Sequence, residues 1–477
     1  MSRKLALALA VAASLAAHAK GITAPLLDYH FHRQCNTAAI ARNYYRNGLH
    51  FGTPQIDWEG DYQGKAATEF PLYMWLMGAL WPVAGLGELW GRLLSVTFSA
   101  LTAVYLFLLL EKRLERETAL FAAALFSALP VEVYFGRTVQ PEALALLATT
   151  AALYHWDRWL SAPARLLHWA AAALFAFLAF AHKLPYLYLL LPLAALAWHE
   201  KKRSWTDPWA WGACLLALAG VAGWYRYAST GVFVVPAHAW EFAKMLEYDR
   251  LPYFIFFQFF SRLPELAATY AGMVLLGFGA WELIGLRKQW FFLYWWCAVA
   301  LSLVLAGGYA HWHEYTSLPF APVNAALMGA GLLRLKRSAK TTGARLALAL
   351  MVASIPIQAA FRIGHWYRNG YPYLSRAGEA AAAVSAPADL FICNERTSSV
   401  FLYYLDRKGW AWSVKEAGSA QSVELLRSHI KKGGKFYATE KAMLADAASA
   451  PFRAYLDAHA RLVYDRNDLL IYGLTGR

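Results

Sequence analysis

The feature that most restricts this chain is a long succession of apolar runs with little sequence between them. They occupy Gly91–Leu110, Thr118–Phe135, Pro141–Trp156, Leu166–Ala181, Leu184–Trp198 and Trp209–Tyr225, and then Leu266–Leu286, Trp290–Tyr309, Tyr315–Leu335 and Arg345–Phe361. A helix that crosses a bilayer needs about 20 mostly apolar residues. The pattern predicts a polytopic α-helical membrane protein of about 11 spans, counting a short first one at Leu5–Ala17. Hydrophobic residues make up 59% of the 477 and charged residues only 16%, which excludes an ordinary soluble domain.

The net charge of +14 has a membrane explanation. Basic residues gather in short loops beside apolar runs: Lys112-Arg113, Arg158 to Arg165, Lys201-Lys202-Arg203, Arg287-Lys288, and Arg334 to Arg345. Such clusters mark the cytoplasmic side and meet anionic lipid, so no nucleic-acid partner is expected. Each cluster is separated from the next by two apolar runs, so the assignments agree. They hold only if Leu72–Leu89 does not cross. That segment is expected to be a juxtamembrane or re-entrant helix on the outer side.

The first segment, Arg3 to Ala19, fits either a cleavable signal peptide or a retained span; we read it as retained. Either way the loop Lys20–Pro71 is delivered outside. The outer side also receives Gly136 to Gln140, His182-Lys183, Arg226 to Arg262, His311 to Glu314, and all that follows Phe361. Beyond Arg362 the periodicity changes. Strands are predicted at Leu390–Cys393, Ala411–Val414 and Lys435–Ala438, helices at Ser398–Arg407 and Ser422–Lys432, and a hairpin at Ala460–Tyr472. The expected organisation is a transmembrane domain at 1–361, with 20–90 as an outer loop, and a C-terminal soluble α/β domain at 362–477. Cys35 and Cys393 lack a disulfide spacing and are expected to be free.

The chemistry-bearing residues crowd the first loop and the outer helix ends. Asp28 follows the first segment closely and could take a proton from an attacking hydroxyl. An N-cap would use the same residue type. Glu69, before Phe70-Pro71, is either a second active carboxylate or a complement to a helix dipole. His30, Arg33 and Lys65 share this loop. Arg137 and Lys183 sit at outer helix ends, where a cation needs a partner such as phosphate or must snorkel to the headgroups. Glu142, behind Pro141, is placed to neutralise Arg137. His311, His313, Glu314 and Tyr315 form a second polar patch. Hydrogen bonding to phosphate or sugar suits it better than zinc, because the ligand set is incomplete. No P-loop, nucleophile elbow or Cys-x-x-Cys pair is present.

Taken in order, several of these features are similar to one known group. They are an acidic outer loop, Glu69-Phe70-Pro71 opening an apolar helix, Gly91-Arg92-Leu93-Leu94-Ser95, the Arg137 and Lys183 turns, and His313-Glu314-Tyr315. The chain resembles the GT-C glycosyltransferases of the family 39 type, which include protein O-mannosyltransferases and lipid A aminoarabinose transferases. The resemblance spans Leu5 to Leu335 and is strongest from Asp28 to Ser95. It implies a polyprenyl-phosphate sugar donor, transfer on the outer face and inversion at the anomeric carbon. Fixed Arg and Lys could neutralise a lipid monophosphate, so no cofactor is expected to be required, with a divalent metal as the lesser alternative. Asp28 and Glu69 match the family's acidic positions. Tyr29 replaces the mannosyltransferases' second acid, and Phe70 the aminoarabinose transferases' lysine. The phosphate therefore falls to Arg33, Lys65, Arg137 or Lys183.

The resemblance implies a multi-pass protein of the bacterial inner membrane, with the site and the C-terminal domain on the periplasmic side. The acceptor is a glycan, lipid or protein, which places the chain in cell-envelope glycan assembly, lipopolysaccharide modification or protein glycosylation. A flippase for lipid-linked sugars and a non-catalytic subunit of an assembly complex are the rival expectations.

Overall fold

Proline decides where many of the apolar runs stop being single helices. The run Thr118–Phe135 is two helices, Arg116–Phe126 and Pro130–Phe135. Pro130 has no N–H to continue the ladder and favours extended backbone at the residue before it. Leu129 adopts that backbone, at φ −69° and ψ 134°. Leu184–Leu189 is a 3-10 turn with Pro185 near its start, and becomes α-helical only at Leu190–His199. Leu251–Phe256 passes into a π-helical stretch, Phe257–Ala267, that contains Pro264. The chain then bends by 102° into Tyr270–Gly285.

The computed structural model describes residues 2–58, 64–67, 69–162, 164, 166–199, 207–233, 250–286, 289–395 and 400–474. Glu59, Asp61, the clusters at 201–203 and 287–288, and Glu241, Glu247 and Asp249 lie outside them. Among the described residues, two helices are long and apolar enough to cross a membrane: Glu88–Arg113 and Thr342–Tyr367. There are three if the bent pair counts as one span. Of the eleven or so spans expected from the sequence, two or three thus meet that length and composition among the described residues. Leu166–His182, which stops before the Pro185 turn, and Phe291–Leu305 are each shorter than a full span. Leu72–Ala84 has 13 residues. At ~1.5 Å per residue it falls short of the ~30 Å hydrocarbon core.

The chain divides into two compact units. One comprises Met1–Ile22, Gly91–Ala228 and Ala237–Trp366; the other comprises Thr23–Trp90, Ser229–Pro236 and Tyr367–Arg477. The first loop, assigned from sequence to the helical part, therefore groups from Thr23 onward with the C-terminal segment.

In the first unit, the helix Phe320–Ser338 packs against both Tyr270–Gly285 and Arg116–Phe126. Glycine sets how closely. A Cβ on Gly331 would lie 1.9 Å from the Leu275 carbonyl oxygen, and one on Gly279 would lie 1.8 Å from that of Leu327. The two helices meet backbone to backbone, as small residues allow in membrane proteins.

In the second unit, His30 turns the chain with left-handed backbone, φ 60°. Its carbonyl accepts from the backbone N–H groups of Arg33 and Gln34 and starts the helix Phe31–Asn47. The C-terminal segment forms a five-stranded sheet: β1 Leu390–Asn394, β2 Gly409–Trp412, β3 Gly434–Glu440, β4 Arg461–Arg466 and β5 Leu469–Gly473. The order is β2-β1-β3-β5-β4, with β1 parallel to both β2 and β3. β4 and β5 form a hairpin through Asn467 and Asp468, both at positive φ, the backbone a two-residue hairpin turn requires. Ile392, Trp410, Leu426, Tyr437, Phe452 and Leu456 make its core.

Arg42 explains why the loop and sheet form one unit. Its guanidinium donates to the Asp57 carboxylate at 2.6 Å and to the Tyr403 carbonyl at 2.8 Å, and lies 2.9 Å from Asp406. Asp57 accepts from the Gly409 N–H through its own carbonyl at 3.0 Å. Arg46 holds Asp406 in a two-pronged pair at 2.7 and 2.8 Å. A buried arginine satisfied from both the loop and the domain joins them. Cys35 and Cys393 are both buried and free.

Candidate functional site

The predicted residues fall into two groups, one in each unit. In the first unit Lys183 sits between the helix Leu166–His182 and the Pro185 turn, with extended backbone. Its ammonium donates to a Glu142 carboxylate oxygen at 2.7 Å and to the Tyr309 hydroxyl at 3.2 Å. It also lies 4.3 Å from the Tyr315 ring centre, within cation–π range. Lys183 and Glu142 are both buried. Glu142, assigned from sequence to neutralise Arg137, thus pairs with Lys183.

The His313-Glu314-Tyr315 patch reaches the same cleft in part. His313 stacks on Tyr315 with ring centres 5.0 Å apart and planes at 11°. Glu314 accepts from Arg262 at 3.3 Å, and Arg262 also donates to the Ala310 carbonyl at 2.7 Å. His311 packs among the rings of Tyr253, Phe254 and Phe257. Burial and the nearby Arg262 charge lower its pKa, opposed by Glu314. Among the described residues no three His, Cys, Asp or Glu side chains group as metal ligands.

An apolar groove of about 400 Å³ runs between the Leu184–Leu191 stretch and the helix Phe291–Leu305. Pro185, Tyr188, Ser302 and Ala306 line both this groove and the cleft that holds Lys183, Glu142, Tyr309 and Tyr315. On the far side, Leu190 is shared with a second apolar groove of about 260 Å³ beside Trp198 and Trp211.

Arg137 is fully buried. It donates to the Gly21 carbonyl at 3.1 Å and lies 4.8 Å from the Tyr134 ring centre. Ser95, the last residue of the Gly91–Ser95 motif, donates to the Thr138 carbonyl at 2.7 Å and holds this turn. Only glycine fits at 136, where a Cβ would come within 2.3 Å of His18 Nε2.

In the second unit, Asp28 is buried and accepts from the Gln34 amide at 2.7 Å. Arg33 forms an ion pair with Glu69, whose side chain is 1% exposed. Two residues proposed for separate tasks are therefore partners. His30 supplies the turn that begins the helix carrying Arg33 and Gln34. Lys65 lies on a short antiparallel bridge to Gln55. Sequence reasoning overlooked Gln34, Tyr309 and Arg262. The one available signal was spacing: Gln34 stands six residues after Asp28, across the His30 turn.

The family model for dolichyl-phosphate-mannose-protein mannosyltransferases matches residues 67–227. No curated protein sequence matches. Among solved structures, apo ArnT from Cupriavidus metallidurans superposes with a TM-score of 0.64 at 13% identity, over 99% of this chain and 97% of that one. ArnT from the same organism bound to undecaprenyl phosphate gives 0.64 at 12%, over 99% and 98%. This chain has the GT-C glycosyltransferase fold. The Archaeoglobus fulgidus oligosaccharyltransferase, in complex with zinc and sulfate, gives 0.63 at 14% identity over 98% of this chain and 73% of that one. The GT-C likeness extends well beyond residues 67–227, and at these identities it is a likeness of fold.

Proposed function

We propose that this GT-C protein moves a sugar from a polyprenyl-phosphate donor to an acceptor at the outer face of a bacterial inner membrane, with inversion at the anomeric carbon. The observation that carries the reading is the apolar groove that shares Pro185, Tyr188, Ser302 and Ala306 with the Lys183 cleft. The groove is read as the seat of an isoprenoid tail, with the phosphate meeting Lys183 beside it. The undecaprenyl phosphate bound to ArnT from Cupriavidus metallidurans supports the same class of lipid here.

Lys183 meets the phosphate as a point charge, with Tyr309 as a second donor and Arg137 as a further cation. In a site poor in water such fixed charges stabilise a leaving phosphate strongly and need no reorganisation as it departs. A lipid monophosphate leaves with less charge than a nucleotide diphosphate, so the chain's own cations suffice for it. Asp28, oriented by Gln34, takes the proton from the acceptor hydroxyl. The acceptor oxygen forms its bond to the anomeric carbon on one face. The bond from that carbon to the phosphate oxygen breaks on the other, and the phosphate keeps the electron pair. Glu69, held by Arg33, positions a sugar hydroxyl.

The test is mass analysis of envelope glycans, lipids and proteins in cells with and without the gene. Deletion is expected to remove one sugar-bearing species. Wild type is expected to restore it and Asp28→Asn is not. Identical profiles with and without the gene would overturn the proposal.

A further inference from the structure

The parallel part of the small sheet has a topological switch point. From the end of β1 the chain leaves toward β2; from the end of β3 it leaves toward β4 and β5, on the opposite side. β1 and β3 are neighbours, so their carboxyl ends flank a topological switch point, the place where open α/β sheets bind ligands. Cys393 pairs with Ala438 in the parallel register. Two residues further on stand Glu395, just past the end of β1, and Glu440, the last residue of β3.

Four elements of the second unit converge there. Glu395 is buried, accepts from the Phe401 N–H at 3.0 Å and lies 3.6 Å from His32 Nδ1. Glu440 accepts from the Tyr373 hydroxyl at 3.3 Å. Tyr371 packs against Phe31 with ring centres 4.7 Å apart, and Tyr373 against Phe401 at 5.9 Å. Burial, then the charges of Glu395 and Glu440, raise the pKa of Tyr371. His32 keeps 45% of its side chain exposed, so the cluster is open. Like carboxylates side by side are unfavourable without donors between them.

We infer that Glu395 and Glu440, with Tyr371, Tyr373 and His32, form a saccharide subsite for the acceptor, built at the edge of the C-terminal sheet. The inference rests on the glycosyltransferase reading above. Carboxylates accept strongly from sugar hydroxyls, and flat aromatic faces cover the C–H face of a pyranose. The same carboxylates repel phosphate, so the subsite belongs to the acceptor and not the lipid donor. His32 immediately precedes Arg33 and stands four residues from Asp28, which ties the subsite to the loop proposed to do the chemistry.

The experiment uses the full chain in nanodiscs. Methyl α-D-mannopyranoside, methyl β-D-glucopyranoside and methyl β-D-galactopyranoside are the probes, read by saturation-transfer NMR. At least one is expected to bind wild type. Glu395→Gln with Glu440→Gln keeps an oxygen to accept from the Phe401 N–H and the Tyr373 hydroxyl but removes both charges, and is expected to weaken binding about tenfold or more. Tyr371→Ala, which leaves the carboxylates in place, is expected to weaken it by about fivefold. No binding to wild type, or undiminished binding in both variants, overturns the subsite. Undecaprenyl phosphate binding is measured on the same samples and is expected to be unchanged. Its absence from wild type would overturn the donor assignment, while the glycoside result still decides the subsite.

Discussion

Lys183 and Glu142 form a buried ion pair, 2.7 Å from ammonium nitrogen to carboxylate oxygen, in a cleft that shares its walls with an apolar groove. Breaking such a pair from one side leaves a buried charge and costs about 3–5 kcal/mol, whereas removing both charges can be nearly neutral. The pair therefore keeps a cation in an apolar place, as the proposed phosphate role requires.

Lys183→Met is expected to lower thermal stability and weaken undecaprenyl phosphate binding by about tenfold or more. The double variant with Glu142→Gln is expected to recover the stability but not the binding. Thermal melts and lipid titrations in detergent check both. If the double variant bound lipid as well as wild type, Lys183 would have no role at the phosphate.

Asp28→Asn is expected to abolish transfer while donor binding stays within about twofold, because the amide preserves shape and a hydrogen bond with Gln34 but cannot take a proton. Full glycan output in a complemented deletion strain would refute the base assignment.

Arg33 and Glu69 are expected to be coupled. In a double-mutant cycle with Arg33→Ala and Glu69→Gln, the interaction energy on stability should be about 1–3 kcal/mol. Simple additivity would mean that the pair contributes nothing to the loop's structure.

Gly331→Leu is expected to prevent the contact between Phe320–Ser338 and Tyr270–Gly285, since a Cβ alone would lie 1.9 Å from the Leu275 carbonyl oxygen. Overpacking usually costs about 1–3 kcal/mol, and backbone has less room to give than a side chain. The folded yield in detergent, by size-exclusion chromatography, should fall sharply; wild-type yield would show that the helices can separate freely.

Asp406 gives a pH dependence. Burial pulls its carboxyl upward, but the hydrogen bond from Arg46 and the charges of Arg42, Arg46 and Arg407 outweigh this and hold it below the ordinary range. A carboxyl lowered in the folded state stabilises fully above its unfolded pKa of about 4, and that stability fades as pH falls through the folded value. Asp406→Asn is therefore expected to lower the melting temperature at pH 7 and to flatten its decline between about pH 4 and pH 2. Parallel acid-melt curves for variant and wild type would exclude Asp406 from the linkage.

The fold class was legible because membrane helices are written as runs of one chemistry. The strands were legible for a similar reason: Leu390–Cys393 was read and Leu390–Asn394 is found. What escaped was where runs break. A run such as Thr118–Phe135 looks continuous to any average of apolarity, and Pro130 alone divides it. At the site, residue types were readable and partnerships were not. Glu142 stands five residues from Arg137 and 41 from Lys183, yet Lys183 holds it. Likewise nothing local announces that Arg42 reaches Tyr403 and Asp406. Long-range pairing depends on packing, which spacing along the chain does not encode.

Arg42 finally bears on how such proteins can be recombined. The loop with Asp28 and the last hundred or so residues are separated by most of the chain, yet they share one folding unit. A chimera that takes them from different parents would set each arginine against a stranger's aspartates. Evolution, and any engineer recombining such chains, must carry the two pieces as a matched set.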